Sequence, residues 1–512
     1  MSSSIVLDPE IAASKRETST FPVCITLYTY ICKAKSWKMM PKLDLDHGTP
    51  ALADQVTAAA PAVSLTRAFT DLLAAWQPDH PALLDRCRLL LLDGLAVAAA
   101  GAGERGPSLM AEQTRAECPD GPATVIGHGL TTSVVQAARV NGMAMHVLDF
   151  EPMWNPPNHA LSTLLPALLA LAELRERDGA GPQGHVVLRA IAKGVEAQGR
   201  LRLASGQIEP AKLSIHPPGA VGALAAALAC ADMLGLAGER SAAAVAIASS
   251  RSGGLLANVG SMTKALHCGD AAANGVQAAM LAAAGFSADE DALGSPRGWG
   301  ASLFGATFDR AHLLAPVGSG RALNPGPAWK LFPSQFATHF AITAALEARE
   351  AIGADALKRI SRVELRTPAM PYIDRPRPYS GLDGKFSWQY TADIALLDGK
   401  VEPASFKDER RFGDDVVALL DRTVLISDPA ISGRFDQMHV EITVELNDGQ
   451  IIRRRCDAPM GSWSRPVPDE RVTAKARALL ADAIGPEKAM AVEGAITADG
   501  EFHVRPLMAL LA

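Results

Sequence analysis

Five short runs of this chain combine histidine, lysine, carboxylate and phenol groups with the Pro, Asn and Gly residues that fix loops and helix starts. In the first, Asn141-Gly142, His146, Asp149-Phe150-Glu151 and Asn155-Pro156-Pro157-Asn158-His159 surround a Pro-rich turn ahead of an apolar, helix-like stretch. Asn and Pro stiffen such a turn and put His159 at or near the N-terminus of the following helix. The positive end of that helix favours the neutral imidazole, which can take a proton. A polar loop with a capping histidine is the structural alternative. The second run, Ser214-Ile215-His216-Pro217-Pro218-Gly219, precedes an Ala-rich helix. Pro suits the first helical turn and the free N–H groups there favour an anion, so His216 could hold a carboxylate or hand it a proton. Otherwise it is a satisfied loop histidine.

The third run is Thr263-Lys264-Ala265-Leu266-His267-Cys268-Gly269, continuing through small residues to Gly275. Small residues let a helix pack closely. Lys264 near the start of that helix is at the wrong end for a cation, a conflict that a bound anion would relieve. His267, three residues on, shares its face. The fourth run, Lys330-Leu331-Phe332-Pro333-Ser334-Gln335, repeats the pattern of a lysine before a Pro-initiated helix, while His339 sits with Phe336 and Phe340 and reads as core. In the fifth, Tyr372-Ile373-Asp374-Arg375-Pro376, phenol and guanidinium could both reach a carboxylate, a surface turn being the alternative. There is no G-x-G-x-x-G after a strand, no P-loop, no H-E-x-x-H and no G-x-S-x-G, and the histidines lack metal-ligand spacing.

The elements that must carry these runs are mostly helical. Leu65, Phe69 and Leu72-Leu73 recur at helical spacing, and residues 82–100, 162–177, 184–204, 219–234, 241–249 and 271–284 read as further helices. After Gly318 the pattern changes. Val363 and Leu365 alternate, as do Met438, Val440, Ile442, Val444 and Leu446, which lead into the hairpin turn Asn447-Asp448-Gly449 and a return strand opening at Ile451. Helical stretches at 335–351 and 414–420 lie between the strands, and 469–484 is helical again. The fold expected is mainly α: residues 62–320 form a large all-helical domain and 321–464 a smaller α+β lid domain. Residues 465–512 return to the helical domain.

Composition narrows the function. Hydrophobic residues make up 48% of the 512 and aromatics only 5%, which suits close-packed helices. A net charge of −6 gives no basic field for nucleic acid, so an anionic substrate must be held by local Lys, His and helix N-termini. No apolar run is free of charges over the length of a membrane span, since Asp93 and Asp232 interrupt the best ones. The seven cysteines form no C-x-x-C pair, which favours reduced thiols and a cytoplasmic setting. Residues 1–61 are read as a poorly ordered extension, since acids precede their one aromatic-rich run as they would not in a signal peptide.

Each run alone is weak; their order is not. Asn-Gly…His…Leu-Asp-Phe…His, then His-Pro-Pro-Gly-Ala-Val-Gly, then Lys-Ala-Leu-His-x-Gly-x-Ala-Ala-x-x-Gly, Lys-x-Phe-Pro and Tyr-Ile-Asp-Arg-Pro resemble the MmgE/PrpD family over residues 62–500. That family includes 2-methylcitrate dehydratase, cis-aconitate decarboxylase and an iminodisuccinate epimerase. The resemblance implies a homodimer acting on a small polycarboxylate, with a cofactor-free, metal-free site between helical and lid domains. Family active-site positions fall on Asp149, His159, His216, Lys264, Lys330 and Tyr372. Of these, Asp149, His159, His216, Lys264 and Tyr372 are the expected catalytic groups, and Lys330, His267, Gln335, Arg375 and Met153 the expected substrate contacts. Two places depart. The usual Asp-Phe-Asp-Asp and small hydroxyl residue read Asp149-Phe150-Glu151-Pro152-Met153, and Gln335 stands where the decarboxylases commonly carry histidine. The expectation is therefore a dehydrating lyase, with an epimerase second and a decarboxylase third. A non-catalytic helical scaffold is the alternative of another class, and the cost of burying unused charges argues against it.

Overall fold

A computed structural model of the chain describes residues 64–512, apart from 211–212, 354–357 and 499. The expected N-terminal extension lies outside the described residues. Among the described residues nine longer helices, most of them Ala- and Leu-rich, precede residue 290: α1 (Leu65–Ala75), α2 (Pro81–Ala102), α3 (Arg105–Glu117), α4 (Val134–Val147), α5 (Leu161–Arg177), α6 (Gly184–Ala204), α7 (Pro217–Met233), α8 (Glu239–Ser249) and α9 (Met262–Ala283). Two were not legible as helices. α3 is mostly polar and exposed, and α4 is buried almost all round, so neither shows a clear apolar stripe. A small antiparallel hairpin, β1 (Ala123–Val125) and β2 (Leu130–Thr132), lies between them.

The alternating segments form a four-stranded sheet of β3 (Ile360–Pro368), β4 (Thr423–Asp428), β5 (Val440–Leu446) and β6 (Ile451–Cys456), in the order β4-β3-β5-β6. Val440, Ile442, Val444 and Leu446 point inward and alternate with less buried neighbours, as a half-buried strand requires. The hairpin turn takes Gly449 to φ 84°, a conformation that glycine adopts without strain. β4 pairs parallel to β3 at the edge of the sheet; only its first residue is buried, so it carries no alternation to read. Helices Thr338–Ile352 and Trp388–Asp398 pack against each other, and the first also packs on β5 and β6.

Two large apolar cores result. One joins α2, α4–α7 and α9 with the C-terminal helices, where Val472, Ala476 and Leu480 of helix Asp469–Ile484 are buried. The other is built on the sheet, and Met153 and Val259 reach into it from the helical part. The crossing of α4 and α9 matters most for function. A Cβ on Gly142 would lie 2.9 Å from the Gly269 Cα, and one on Gly269 would lie 2.3 Å from the Arg139 carbonyl oxygen. Only glycines allow the two backbones this close, and the contact brings the last turn of α4 against the first turn of α9.

Candidate active site

α4 ends at Val147, and the chain turns out of it with Asp149 at φ 51°. Among the described residues it is the one non-glycine with positive φ, a helix-ending conformation that Asp tolerates better than most residues. The turn aims the Asp149 carboxylate at α9. Lys264, in the first turn of α9, donates from Nζ to Asp149 Oδ2 at 2.7 Å and lies 2.7 Å from His146 Nε2. The anion that relieves Lys264 at its helix N-terminus is thus the protein's own Asp149. Lys330 Nζ donates to the other oxygen, Oδ1, and to the Asp149 carbonyl at 2.6 Å. His146 meets Glu151 Oε1 through Nδ1 at 2.5 Å. His159, just ahead of α5, has Asp149 Oδ1 3.6 Å from Nε2 and Glu151 Oε1 3.3 Å from Nδ1. His216 caps α7, held by its backbone N–H to the Gly254 carbonyl at 2.8 Å, and its Nδ1 lies 3.3 Å from His267 Nδ1.

Burial sets the charges. It opposes ionisation of Asp149 and Glu151, but Lys264 and Lys330 around the first, and His146 and His159 around the second, hold both carboxyls well below their usual range. Burial and then Lys264 push His146 down to about 4, so at neutral pH it is a neutral ring. Because Lys264 donates to Nε2, its proton sits on Nδ1 and is given to Glu151. His216 is pushed well below the usual histidine range by the same two causes. Burial, with Asp149 nearby, raises the Tyr372 phenol, which stays a donor. The Gln335 amide donates to Tyr372 Oη at 3.0 Å, while its Oε1 accepts from the Ala337 N–H at 2.6 Å, which fixes which end of the amide faces the phenol.

These groups border a cleft between the helical core and the sheet. Asp149, His159, His216, Lys264, Tyr372, Gln335 and Met153 all face it. Other parts of its wall are apolar and include Leu213, Leu256, Val259 and Phe435. Three expected substrate contacts are placed elsewhere. Lys330 is fully buried behind Asp149, since a carboxylate and a carbonyl take its ammonium. Its expected helix start is also absent, because the helix begins at Thr338 and not at Pro333. Arg375 binds Asp383, the Val259 carbonyl at 2.9 Å and the Tyr372 carbonyl at 3.0 Å, so it locks the cleft wall instead of facing the cleft. His267 stands behind His216. His339 is buried against Phe332 and Phe336, as its spacing predicts.

His146 and Glu151 stand in the first run but are not among the expected site residues. Their spacing of five places them on one side of the α4 turn only once its ending is known. Lys385 and Lys475 give no signal in the sequence, as each stands alone in a mixed polar stretch, whereas Asp93 interrupts an apolar run without showing its partner. Among the described residues two groups have metal-ligand proximity, His146/His216/Cys268 and His146/Glu151/His159. Both depend on His146, whose two nitrogens are committed to Glu151 and to the Lys264 ammonium, and a cation bound there would face that ammonium at close range. The donor set therefore suits proton transfer and anion binding better than metal ligation.

Comparison with known proteins places this geometry in context. The MmgE/PrpD N-terminal domain matches residues 67–311 and the MmgE/PrpD C-terminal domain residues 332–497. The chain is 32% identical over 429 residues to a cis-aconitate decarboxylase of Mus musculus, covering 81% of this chain and 86% of the relative. It is 31% identical over 425 residues to that of Homo sapiens, covering 81% and 87%. A 2-methylcitrate dehydratase of Salmonella typhimurium is 28% identical over 359 residues, 65% of this chain and 71% of that protein.

Proposed function

The chain belongs to the MmgE/PrpD family, and from that premise we propose that it is a cofactor-independent lyase that removes CO2 from a small unsaturated tricarboxylate of the cis-aconitate type. The observation that carries this reading is the mixed lining of the cleft. Lys264, His159, His216, Tyr372 and Gln335 offer donors enough for two carboxylates, while other parts of the wall are apolar. A third carboxylate against the apolar wall loses hydration and gains from becoming neutral CO2. Its C–C bond breaks, and that electron pair forms a terminal double bond. The pair of the former double bond moves to the carbon beside a retained carboxylate, giving an enediolate. Lys264 and Tyr372 stabilise its charge, and His159 returns a proton to the carbon.

The identity to relatives named cis-aconitate decarboxylases favours loss of CO2 over loss of water, which reverses the order expected from sequence. Gln335, the departure that argued against decarboxylation, still presents an N–H to the cleft once its amide is fixed by Ala337. The test is proton NMR of the purified protein in D2O with cis-aconitate, 2-methylcitrate, citrate and iminodisuccinate. The expected result is a pair of terminal vinyl protons from cis-aconitate, with one deuteron in the product methylene. Water loss from 2-methylcitrate alone would replace decarboxylation with dehydration. Deuterium exchange without skeletal change would replace it with epimerisation, and no turnover of any of the four would refute the reading.

A further inference from the structure

Three successive carbonyls, those of Leu148, Asp149 and Phe150, each accept a hydrogen bond from a different lysine. Lys385 Nζ reaches Leu148 O at 3.3 Å, Lys330 Nζ reaches Asp149 O at 2.6 Å and Lys475 Nζ reaches Phe150 O at 2.9 Å. The lysines come from separate places: the end of the short helix Gly381–Gly384, the segment after Ala328, and helix Asp469–Ile484. Two of them also bind the segment opposite, Lys385 at Pro333 O (3.0 Å) and Lys475 at Lys330 O (3.1 Å). The turn that carries Asp149 is therefore cross-linked to residues 330–333 on both sides of the carboxylate, at the residue whose φ is 51°.

A purely structural role does not account for these ammonium groups. Lys385 is 3% exposed, none of the hydrogen bonds its ammonium makes goes to a carboxylate, and it sits over the Phe406 ring at 4.4 Å. Burying a cation on neutral carbonyls alone is unfavourable relative to an apolar side chain of the same size. Lys475 does have an acid, Asp93, at 3.0 Å, but Asp93 is fully buried and the Lys475 side chain only 10% exposed, and its other two bonds go to the turn and to Lys330. What the lysines supply, and an apolar side chain would not, is direction: donors that hold three consecutive carbonyls of a left-handed turn.

We propose that Lys385 and Lys475 are positioning residues that clamp the Leu148–Asp149–Phe150 turn, keeping the Asp149 carboxylate on Lys264 and the Lys264 ammonium aimed into the cleft. The functional part of this inference rests on the cleft being the catalytic site proposed above; the clamp itself does not. Lys385→Met is the cleaner variant, because it leaves no acid orphaned. Lys475→Met is made together with Asp93→Asn for the same reason. Each is expected to lower kcat about 10- to 100-fold, the effect of a small misplacement of reacting groups, with KM changed less than about threefold. Combining them is expected to cost little more than the worse one alone, since both act on one turn. Crystal structures of the variants provide the readout that needs no substrate: Asp149 leaves the left-handed region, or its carboxylate draws away from Lys264. If both variants keep the Asp149 conformation and the Asp149–Lys264 contact, the clamp is wrong whatever the reaction. If the turn moves while the variants keep the kcat that the wild-type enzyme shows on a polycarboxylate, the clamp is real but the positioning role is overturned. A wild-type protein without lyase activity would remove the proposed function and leave the structural test intact.

Discussion

Replacing Lys264 by Met separates catalysis from stability. The ammonium has three protons; two are directed at Asp149 Oδ2 and His146 Nε2, each 2.7 Å away, and the third is free for a ligand in the cleft. If that proton stabilises the enediolate, its loss costs about 3–4 kcal/mol of transition-state stabilisation, the usual worth of one well-placed donor in a water-poor site, or roughly 10²–10³ in kcat. Folding should hardly notice. The Lys264–Asp149–Lys330 group carries one net positive charge, and Lys264→Met leaves a neutral Asp149–Lys330 pair. Two hydrogen bonds to charged groups are lost, but an ammonium no longer has to be buried, and Met fills a similar volume. These terms oppose each other, so the net change stays within about 2 kcal/mol, a few degrees in Tm at most. The assay is kcat by NMR or by ultraviolet absorbance of the product, with Tm on the same sample. A kcat within tenfold of wild type would refute the role given to Lys264, and a collapse of Tm would mark it as structural.

Three further outcomes follow from the same geometry. Asp149→Asn leaves Lys330 buried without a carboxylate partner and should destabilise by about 3–5 kcal/mol near pH 7. Because the Asp149 carboxyl is held below its unfolded value, that stability is present above about pH 4 and lost as pH falls through the folded value, so urea titrations of the two proteins should converge in acid. Burial lowers Lys385 to about 7, whereas the unfolded chain keeps its proton to about 10, so the folded state binds fewer protons between these values and the Lys385 contribution to stability rises with pH across that window. Lys385→Met should accordingly be more stable than wild type at pH 6 and lose that advantage above pH 10, although it lowers kcat; an advantage that grows with pH would contradict the assignment. Gln335→Leu frees the Tyr372 phenol from the one side-chain hydrogen-bond partner it has among the described residues and removes an N–H from the cleft, so KM for the tricarboxylate should rise about tenfold or more while Tm changes little; steady-state kinetics with an unchanged KM would remove Gln335 from the carboxylate site.

What the sequence determined by itself was local. Helical and strand periodicities located α5 to α8 to within about two residues at most ends, because each face is written in spacings of three, four or two. Pro217-Pro218 marked the start of α7, and the Asn-Asp-Gly turn marked the β5–β6 hairpin. Histidines beside such starts could be named as site candidates, and the order of the motifs named the family. Partnership was decided only by the tertiary structure. The anion at Lys264 is Asp149, 115 residues away, and the donor at Phe150 is Lys475, 325 residues away. Lys330 and Arg375 looked free to bind a substrate until packing showed which protein groups already hold them. Pairings of that kind depend on how closely whole helices approach, as at Gly142 and Gly269, and on a backbone turn such as that at Asp149. Neither is encoded in the spacing of any one segment: each depends on the summed packing of both cores, so a buried lysine that binds the turn at Asp149 looks in sequence like any lysine on a solvated face.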